Sequence, residues 1–444
     1  RRANRFRYAF DERPRFKRVP FGKRAMKAGS PATPRWRYLS VCCVLIGLAG
    51  VLMVRLVMLQ VTEEGQGAGF LREQGAMRTV RTAEIPVYRG LIEDRHGTPL
   101  AISSPVVSLW ANPQQLKDSP RLAELAALLG VDAAELKDKL ALYGNKHFMY
   151  LARHQAPDFA RQILQEAFPG VRGERAYRRY YPAGEVTAQV LGLTNVDGEG
   201  IAGIELAFEQ WLQGIPGKKR FIKDLHGEAV RDFGLITKPR PGKALSLSLD
   251  LRLQYVQHRE LQRAMKETGA VAGSAITVDA WTGEILAVSN YPVFNPNNRE
   301  AFDYSAARNR ALTDVYEPGS TIKTLTLIAA LESGQFTIDS LVNTAPGRIR
   351  VGGKVLHDPR NYGEISVSKI IEKSSQVGVT KLAQAVGHEA VLEVLLRFGF
   401  GTQTGTGFPG ERAGSLPSMV HWSEIEKVTL AFGYGLNATP IQLA

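Results

Sequence analysis

The sequence predicts an α+β fold with a single N-terminal transmembrane helix, and three observations lead to this prediction. An apolar segment at residues 38–60 follows a strongly basic N-terminus, as expected for a membrane anchor. Residues 251–268 have a helical pattern and precede two short β-branched stretches joined by a turn at 279–283. A further apolar helix begins at Ser320. A helix, an antiparallel hairpin and a second helix indicate an α+β domain whose site lies at the sheet edge.

The basic character of the chain is concentrated in residues 1–37. They carry a net charge of +11, out of +13 for the whole chain, so nothing suggests nucleic-acid binding by the remainder. A cleavable signal peptide is the alternative to an anchor, but the long basic lead and the lack of a small-residue cleavage site favour an uncleaved one. Positive flanks stay in the cytoplasm. We therefore expect a single-pass membrane protein, with residues 1–37 cytoplasmic and the part after residue 60 outside, in the periplasm or its equivalent.

Cysteine usage limits the chemistry of the exported part. Cys42 and Cys43 are the only cysteines, and both lie inside the apolar segment. The exported part therefore has no disulfide framework and no thiolate ligands. No cluster of His, Cys and carboxylate residues is visible in the sequence either, so we expect neither a metal nor a cofactor.

Several short elements of structural character are predicted between the anchor and the candidate site. Residues 238–242 look like a linker. The pattern predicts a juxtamembrane helix at 61–80, a hairpin at 92–101, two helices within 120–142 split at 130–132, a helix ending near Leu212, a second hairpin at 217–232 and a strand at 245–249.

The spacing Ser320-x-x-Lys323 is the strongest chemical signal. It places a hydroxyl and an amine one helical turn apart, after a Pro-Gly that interrupts the preceding structure. A serine becomes a good nucleophile when a base takes its proton, and a lysine can be that base if its pKa is lowered by burial. The alternative is a serine helix cap followed by a solvated lysine. A second match, Ser366 to Lys369, is interpreted as such a cap because an apolar run follows it.

The chain resembles class B penicillin-binding proteins, and among them the septal peptidoglycan transpeptidases of bacterial division, the FtsI family. The resemblance begins at the anchor and covers everything after it. It implies a non-catalytic pedestal, the penicillin-binding protein dimerisation domain, at residues 61–241, and a serine β-lactamase-like transpeptidase domain at residues 242–444. The motifs that carry it are Arg89-Gly90 with Asp94-Arg95 and Gly97, residues 200–205, Arg308-Asn309-Arg310-Ala311, Glu317-Pro318-Gly319-Ser320 and residues 432–436.

The resemblance also implies roles for the site residues. Ser320 would be the nucleophile, Lys323 its base, and Ser374 a hydroxyl that bridges Lys323 and the leaving group. Gln376 occupies the position of the family's substrate-binding Asn. It keeps the carboxamide but is longer by one methylene, so the substrate contact would be kept only with some displacement.

The third motif of the family, Lys-Thr-Gly on a strand, has no match in the chain. We expect it beyond Ala444, so the transpeptidase domain would be incomplete here and this fragment alone inactive. Residues 404–407 have a similar composition but follow Gln403, and they are interpreted as a loop.

The function implied by the resemblance is that of a serine-type D-Ala-D-Ala transpeptidase, which cross-links peptidoglycan stem peptides at the division septum and is acylated by β-lactams. The implied partners are stem peptides, β-lactams, a polytopic septal glycosyltransferase and other divisome membrane proteins. Two alternatives remain open. One is a non-enzymatic divisome scaffold, and the other is a membrane-anchored β-lactam sensor or hydrolase on the same fold.

Overall fold

A computed structural model of the protein describes residues 34–61, 80–223, 229–298, 304–417 and 422–444. The chain divides into two units, residues 1–80 and residues 81–444. In the first unit, helix α1 (Arg35–Val61) contains the predicted anchor, and its apolar part has a mean hydropathy of 2.6. Among the described residues it is the one helix long and apolar enough to cross a membrane. Most of the basic tail and of the predicted juxtamembrane helix, residues 1–33 and 62–79, lies outside the described residues.

The strands of the described part form five sheets. The strands are β1 Val80–Ile85, β2 Ile92–Glu93, β3 Pro99–Ala111, β4 Met149–Gln155, β5 Val171–Tyr180, β6 Gly217–Lys223, β7 Ala229–Thr237, β8 Leu245–Ser246, β9 Gly273–Val278, β10 Ile285–Tyr291, β11 Leu341–Asn343, β12 Arg348–Val351, β13 Lys354–His357 and β14 Glu364–Ser366.

The longest strand, β3, organises the N-terminal half. It pairs antiparallel with β2, β4 and β5, while β2 also pairs in parallel with β8. Strands β1, β6 and β7 form a separate sheet, and β9 with β10, β11 with β14 and β12 with β13 form two-stranded sheets. Because β8 lies at the start of the C-terminal half, the parallel pair joins the two halves through backbone hydrogen bonds.

The helices of the described part, which apart from α1 pack mainly on these sheets and on one another, are numbered in chain order. They are α1, α2 Pro113–Leu116, α3 Leu122–Leu129, α4 Ala133–Leu142, α5 Pro157–Gln165, α6 Ala188–Leu191, α7 Gly203–Ala207, α8 Glu209–Leu212, α9 Leu251–Thr268, α10 Tyr304–Ala307, α11 Arg310–Thr313, α12 Lys323–Glu332, α13 Val367–Glu372, α14 Gln376–Val386, α15 His388–Arg397, α16 Glu424–Thr429 and α17 Pro440–Leu443.

Two of the hydrophobic cores position the candidate site. The larger core is built by the helices around α12 and includes the buried side chains of Ile322 and Ile370. A second core joins the two halves, with Ile92 and Leu100 from the β2–β3 hairpin and Leu249 from the start of the C-terminal half. Apolar burial on this scale is the main stabilising contribution to such a fold.

Asp94 in the β2–β3 turn reinforces the junction. Its buried carboxylate accepts hydrogen bonds from the backbone N–H groups of His96, Thr98 and Leu251, at 2.9, 2.8 and 3.2 Å. Leu251 is the first residue of α9. The turn of the N-terminal hairpin therefore satisfies one of the free donors at the start of a helix in the C-terminal half.

Most predicted elements are confirmed. The two N-terminal hairpins pair as β2–β3 and β6–β7, helix α9 spans the predicted residues, and the hairpin that follows it is β9–β10. Helices α3 and α4 are separated at Gly130, which has a φ of 70°, and Asp132, which caps α4.

Three elements differ from the prediction. The strand at 245–249 is only two residues long. The Leu247 N–H still donates to Glu93 of β2, but the next residues bond elsewhere: the Ser248 hydroxyl donates to the Ile285 carbonyl, and the Leu249 carbonyl accepts from the Arg95 N–H. The helix ending at Leu212 is broken into α7 and α8 at Phe208. Val80, which was placed at the end of a helix, begins strand β1.

Candidate active site

The segment that carries Ser320 begins with a tight turn. Gly319 has a φ of 60°, and residues Gly319–Ile322 form one 3-10 turn before α12 starts at Lys323. The sequence predicted an α-helix from Ser320 onward, so the first turn is tighter than expected, as is common at helix starts. Ser320 is exposed, and its hydroxyl has no hydrogen-bond partner among the residues that the structure describes. The next two residues, Thr321 and the buried Ile322, lead into the core.

Lys323 is buried, with 3% of its surface exposed. Its Nζ donates to the carbonyl oxygen of Ser374 at 2.6 Å and lies 2.9 Å from the Ser374 hydroxyl. Burial lowers the pKa of Lys323 below its ordinary value, and the negative charge of Asp358 opposes this by raising it. The net result is an amine that loses its proton more readily than a surface lysine.

Ser374 occupies a backbone conformation that few residues other than glycine adopt. Its φ is 50°, and it lies between the end of α13 and the start of α14. The Ser374 N–H donates to Ile371 at 3.0 Å, which closes the turn. This left-handed conformation costs about 1 kcal/mol for a residue with a Cβ, so the surrounding contacts must hold it in place.

Ser375 supplies one of those contacts as the N-cap of α14. Its fully buried hydroxyl accepts from the Gly378 N–H at 2.8 Å and donates to Asp358 Oδ2 at 2.6 Å. The other oxygen of the same carboxylate accepts from the Val377 N–H at 3.1 Å. Asp358 thus ties down the first turn of α14, directly after Ser374.

Sequence analysis missed Asp358. It lies in the loop after β13, 17 residues before Ser375, and it is 8% exposed. Its local context is Asp-Pro, which is typical of a turn and gives no sign of a buried carboxylate. Only the long-range packing of this loop against α14 reveals the contact.

Gln376 is the first residue of α14 and is half-buried. Its side chain forms no hydrogen bond with any residue in the described ranges. The structure therefore brings together only part of the predicted set. Lys323 and Ser374 are in contact. Among the described residues, the Ser320 hydroxyl, one turn before Lys323, and the Gln376 carboxamide, at the start of the neighbouring helix, have no hydrogen-bond partner.

The two alternative matches have structural roles. Ser366 caps α13, since its hydroxyl accepts from the Lys369 N–H at 3.2 Å, and Lys369 pairs on the surface with Glu372. Residues 404–407 form a loop in which Thr404 and Thr406 donate to the buried carboxylate of Glu411. Within the described residues, no group of three His, Cys, Asp or Glu side chains is placed to hold a metal ion.

The chain matches two described protein families. Residues 84–247 match the penicillin-binding protein dimerisation domain, and residues 273–444 match the penicillin binding protein transpeptidase domain.

Named relatives match over nearly the whole chain. The peptidoglycan D,D-transpeptidase FtsI of Escherichia coli (strain K12) is 41% identical over 416 residues, which cover 92% of this chain and 69% of that relative. The probable peptidoglycan D,D-transpeptidase PbpC of Pseudomonas aeruginosa is 39% identical over 92% of this chain and 72% of its own length.

Solved structures show the same architecture. A peptidoglycan synthetase from Bifidobacterium adolescentis aligns with a TM-score of 0.63 and 25% identity, over 82% of this chain and 71% of its own. Penicillin binding protein 3 from Mycobacterium tuberculosis, complexed with aztreonam, aligns with a TM-score of 0.59 and 28% identity, over 81% of this chain and 63% of its own. The predicted family and α+β fold class are confirmed. The chain belongs to the class B penicillin-binding proteins, the family of the peptidoglycan D,D-transpeptidases.

Proposed function

We propose that this protein cross-links peptidoglycan at the division septum, with Ser320 as the acylated nucleophile and Lys323 as its general base. The observation that carries the proposal is the buried amine of Lys323, held by Ser374 one turn after an exposed serine hydroxyl. A neutral amine has two N–H donors and one lone pair. Because both contacts to Ser374 engage the N–H side of the amine, the lone pair remains for the proton of Ser320.

The reaction would proceed in two acyl transfers. Ser320 Oγ attacks the carbonyl carbon of the penultimate D-Ala of a stem peptide, and its proton passes to Lys323. Ser374 then relays a proton to the departing D-Ala nitrogen as the peptide C–N bond breaks. Backbone N–H groups, one of them from Ser320, hold the tetrahedral oxyanion. The amine of a second stem peptide then attacks the acyl carbon and loses a proton to Lys323, and the bond from the acyl carbon to Ser320 Oγ breaks as Oγ takes a proton back from Lys323.

Gln376 is proposed as a substrate-binding residue in this scheme. Its half-exposed carboxamide has no partner among the described residues, and it follows the turn that presents Ser374. A carboxamide offers one acceptor and two donors, which suits the amide groups of a stem peptide.

β-Lactams are proposed to acylate the same serine, since opening of the lactam ring repeats the first acyl transfer with a leaving group that stays attached. The relative from Mycobacterium tuberculosis was solved in complexes with aztreonam and with ampicillin. That relation supports the proposal for this chain.

The proposal is tested by labelling the full-length protein with a fluorescent penicillin and mapping the adduct by mass spectrometry. We expect the adduct on Ser320, and we expect Ser320→Ala to abolish it. Ser366→Ala is the matched control, because it removes the other serine of a Ser-x-x-Lys match and leaves the proposed site untouched. Labelling that survives Ser320→Ala, or that maps to Ser366, would refute the assignment.

We also propose the arrangement of the chain at the inner membrane. Residues 1–37 are cytoplasmic, 38–60 span the membrane, and the pedestal at 61–241 and the transpeptidase domain at 242–444 are periplasmic. The strongly basic tail before α1 supports this orientation. A reporter fused after Leu100 should be active only when exported, and cytoplasmic activity would reverse the topology.

Partner proteins are proposed from the same arrangement. An anchored transpeptidase of the septum would work beside a polytopic glycosyltransferase, which supplies glycan strands, and other divisome membrane proteins. Co-purification of the full-length protein with that glycosyltransferase from detergent-solubilised membranes, lost when α1 is exchanged for an unrelated apolar helix, would support contact through the anchor.

A further inference from the structure

We infer that residues 433–438 act as a clamp that positions Ser320, and that Glu317 and Gly433 are positioning residues of the reaction. This inference rests on the proposed role of Ser320 as the nucleophile. The clamp lies more than a hundred residues after Ser320 in the chain, yet it bonds to three of the four residues that precede the serine.

Hydrogen bonds join the two segments on both sides of Pro318. Tyr316 and Ala438 exchange two backbone bonds of 3.1 and 3.0 Å, and the Gly319 N–H donates to the Gly433 carbonyl at 3.1 Å. Pro318 itself has no N–H to donate. The residue immediately before Ser320 is therefore held directly by the clamp, and the chain three residues further back is held as well.

Glu317 adds a side-chain contact to these backbone bonds. Its Oε1 accepts from the Gly435 N–H at 2.8 Å. Gly435 has a φ of 80°, a conformation that glycine adopts without the cost that other residues incur. A carboxylate that accepts a backbone N–H makes a charge-assisted bond, so the contact holds the turn of the clamp against the lead segment.

The contact at Gly433 is too close for any side chain. A Cβ at this position would lie 2.1 Å from the Gly319 oxygen and 2.6 Å from the Gly319 nitrogen. These are backbone atoms of the residue next to Ser320, and they cannot move unless the 3-10 turn that presents the serine moves with them. Gly433 is required because two backbones touch there.

The clamp is itself fixed to the core. The 3-10 turn Leu430–Phe432 leads into it, and all three of its residues are at least 97% buried. The hydroxyl of Thr326, in α12, donates to the Ala431 carbonyl at 2.8 Å. The helix that carries Lys323 and the segment that places Ser320 are thus bonded to one continuous stretch of chain. This stretch fixes the position of the Ser320 hydroxyl relative to the Lys323 amine.

The closing experiment compares two Gly→Ala variants of the full-length protein that carry similar backbone strain. Gly433→Ala and Gly410→Ala both place alanine at a positive φ, 85° and 80°, but a Cβ at Gly410 meets nothing within 4 Å. The readout is acylation by a fluorescent penicillin, separated by stopped-flow kinetics into a binding constant and a first-order acylation rate.

We expect Gly433→Ala to lower the first-order rate about 100-fold, the loss expected for a displacement of about 1 Å. The binding constant should change little, and Gly410→Ala should stay within about threefold of wild type, as its strain is the same and its clash is absent.

A second pair keeps the test decisive if Gly433→Ala does not fold. Glu317→Ala should lower the first-order rate about tenfold, and Glu317→Gln, which keeps an acceptor for the Gly435 N–H, should recover most of it. Equal rates for Gly433→Ala and Gly410→Ala, or a Glu317→Gln variant as slow as Glu317→Ala, would overturn the clamp. In either case the adduct would still map to Ser320 if the proposed function is right. A failure of the clamp can therefore be told apart from a failure of the proposed function.

Discussion

Replacement of Asp358 by Asn tests how the site is held together. The carboxylate accepts two hydrogen bonds, from the Ser375 hydroxyl and the Val377 N–H. An asparagine offers one oxygen and one NH₂ group. With the oxygen on the Val377 N–H, the NH₂ group faces the Ser375 hydroxyl, which can turn and accept from it, so both bonds become neutral. Hydrogen bonds to charged groups contribute about 1.5–3 kcal/mol each and neutral ones about 1 kcal/mol. The local cost is therefore about 1–4 kcal/mol, the difference between two charge-assisted bonds and two neutral ones.

Part of this free-energy cost should also raise the barrier to acylation. The first turn of α14 is joined to Ser374, whose left-handed conformation holds the Lys323 amine. If Ser374 shifts, its hydroxyl and the Lys323 amine, the proposed relay and base, are both displaced. We expect about 1–2 kcal/mol in the acylation barrier, which corresponds to a fall of about 5- to 30-fold in the plateau rate.

The pH profile gives a second, independent readout of the same variant. With Lys323 as the proposed base, acylation needs its neutral form, so the rate should rise with pH through the pKa of Lys323 in the folded protein. Burial lowers that pKa and the charge of Asp358 raises it. Asp358→Asn removes the charge, so the rising limb should move to lower pH. A variant that only loosened the fold would lower the plateau without this shift.

The assay is the second-order acylation rate of the full-length protein by a fluorescent penicillin, measured across pH and compared with the melting temperature. Glu411→Gln is the matched control, because it also replaces a buried carboxylate that accepts several hydrogen bonds, but in the loop at 404–411. A plateau rate for Asp358→Asn within twofold of that control, or a rising limb that moves to higher pH, would refute the reasoning.

Two further predictions concern the substrate position and the pedestal. Gln376→Asn should acylate within about tenfold of wild type, which corresponds to about 1.4 kcal/mol in the barrier. Gln376→Ala should be slower, because polar groups of the site lose their partner. A wild-type acylation rate for Gln376→Ala would show that this residue is not part of the site. Glu205, fully buried between Arg89 and Arg179, holds both guanidinium groups. Glu205→Gln should therefore cost about 3–5 kcal/mol of unfolding free energy in urea titrations, while Lys218→Gln, a surface change in the same region, should cost less than about 0.5 kcal/mol.

Local sequence patterns predicted the elements whose contacts are local. The hairpins and α9 follow from strand alternation, turn residues and helical periodicity, which depend on neighbours a few positions apart. The spacing of Ser320 and Lys323 belongs to the same class, because one helical turn relates them. The 3-10 turn at residues 319–322 was not predictable, since it depends on how the clamp at 433–438 holds Gly319.

Contacts between distant segments account for what the sequence did not predict. Asp358 and Ser375 are separated by 17 positions, and Gly319 and Gly433 by more than a hundred. No local pattern distinguishes a buried Asp in an Asp-Pro turn from an exposed one. Ser374 illustrates the same point: its φ of 50° arises where two helices meet, and its sequence of neighbours gives no glycine or asparagine to signal it.

The position of Asp358 near Lys323, which the proposed mechanism requires to be neutral, needs a physical explanation. Its charge raises the pKa of Lys323 and so works against the free base, while burial works in the other direction. The carboxylate is nevertheless the group that can accept from the Ser375 hydroxyl and the Val377 N–H together, and no neutral side chain of similar size accepts twice with the same geometry. Asp358 therefore makes Lys323 harder to deprotonate, and at the same time it fixes the position of Ser374.

If positioning is the larger effect, Asp358→Asn slows acylation at every pH despite a more easily deprotonated lysine. If the charge is the larger effect, the variant is faster than wild type at low pH, and the order of the two rates there decides between them.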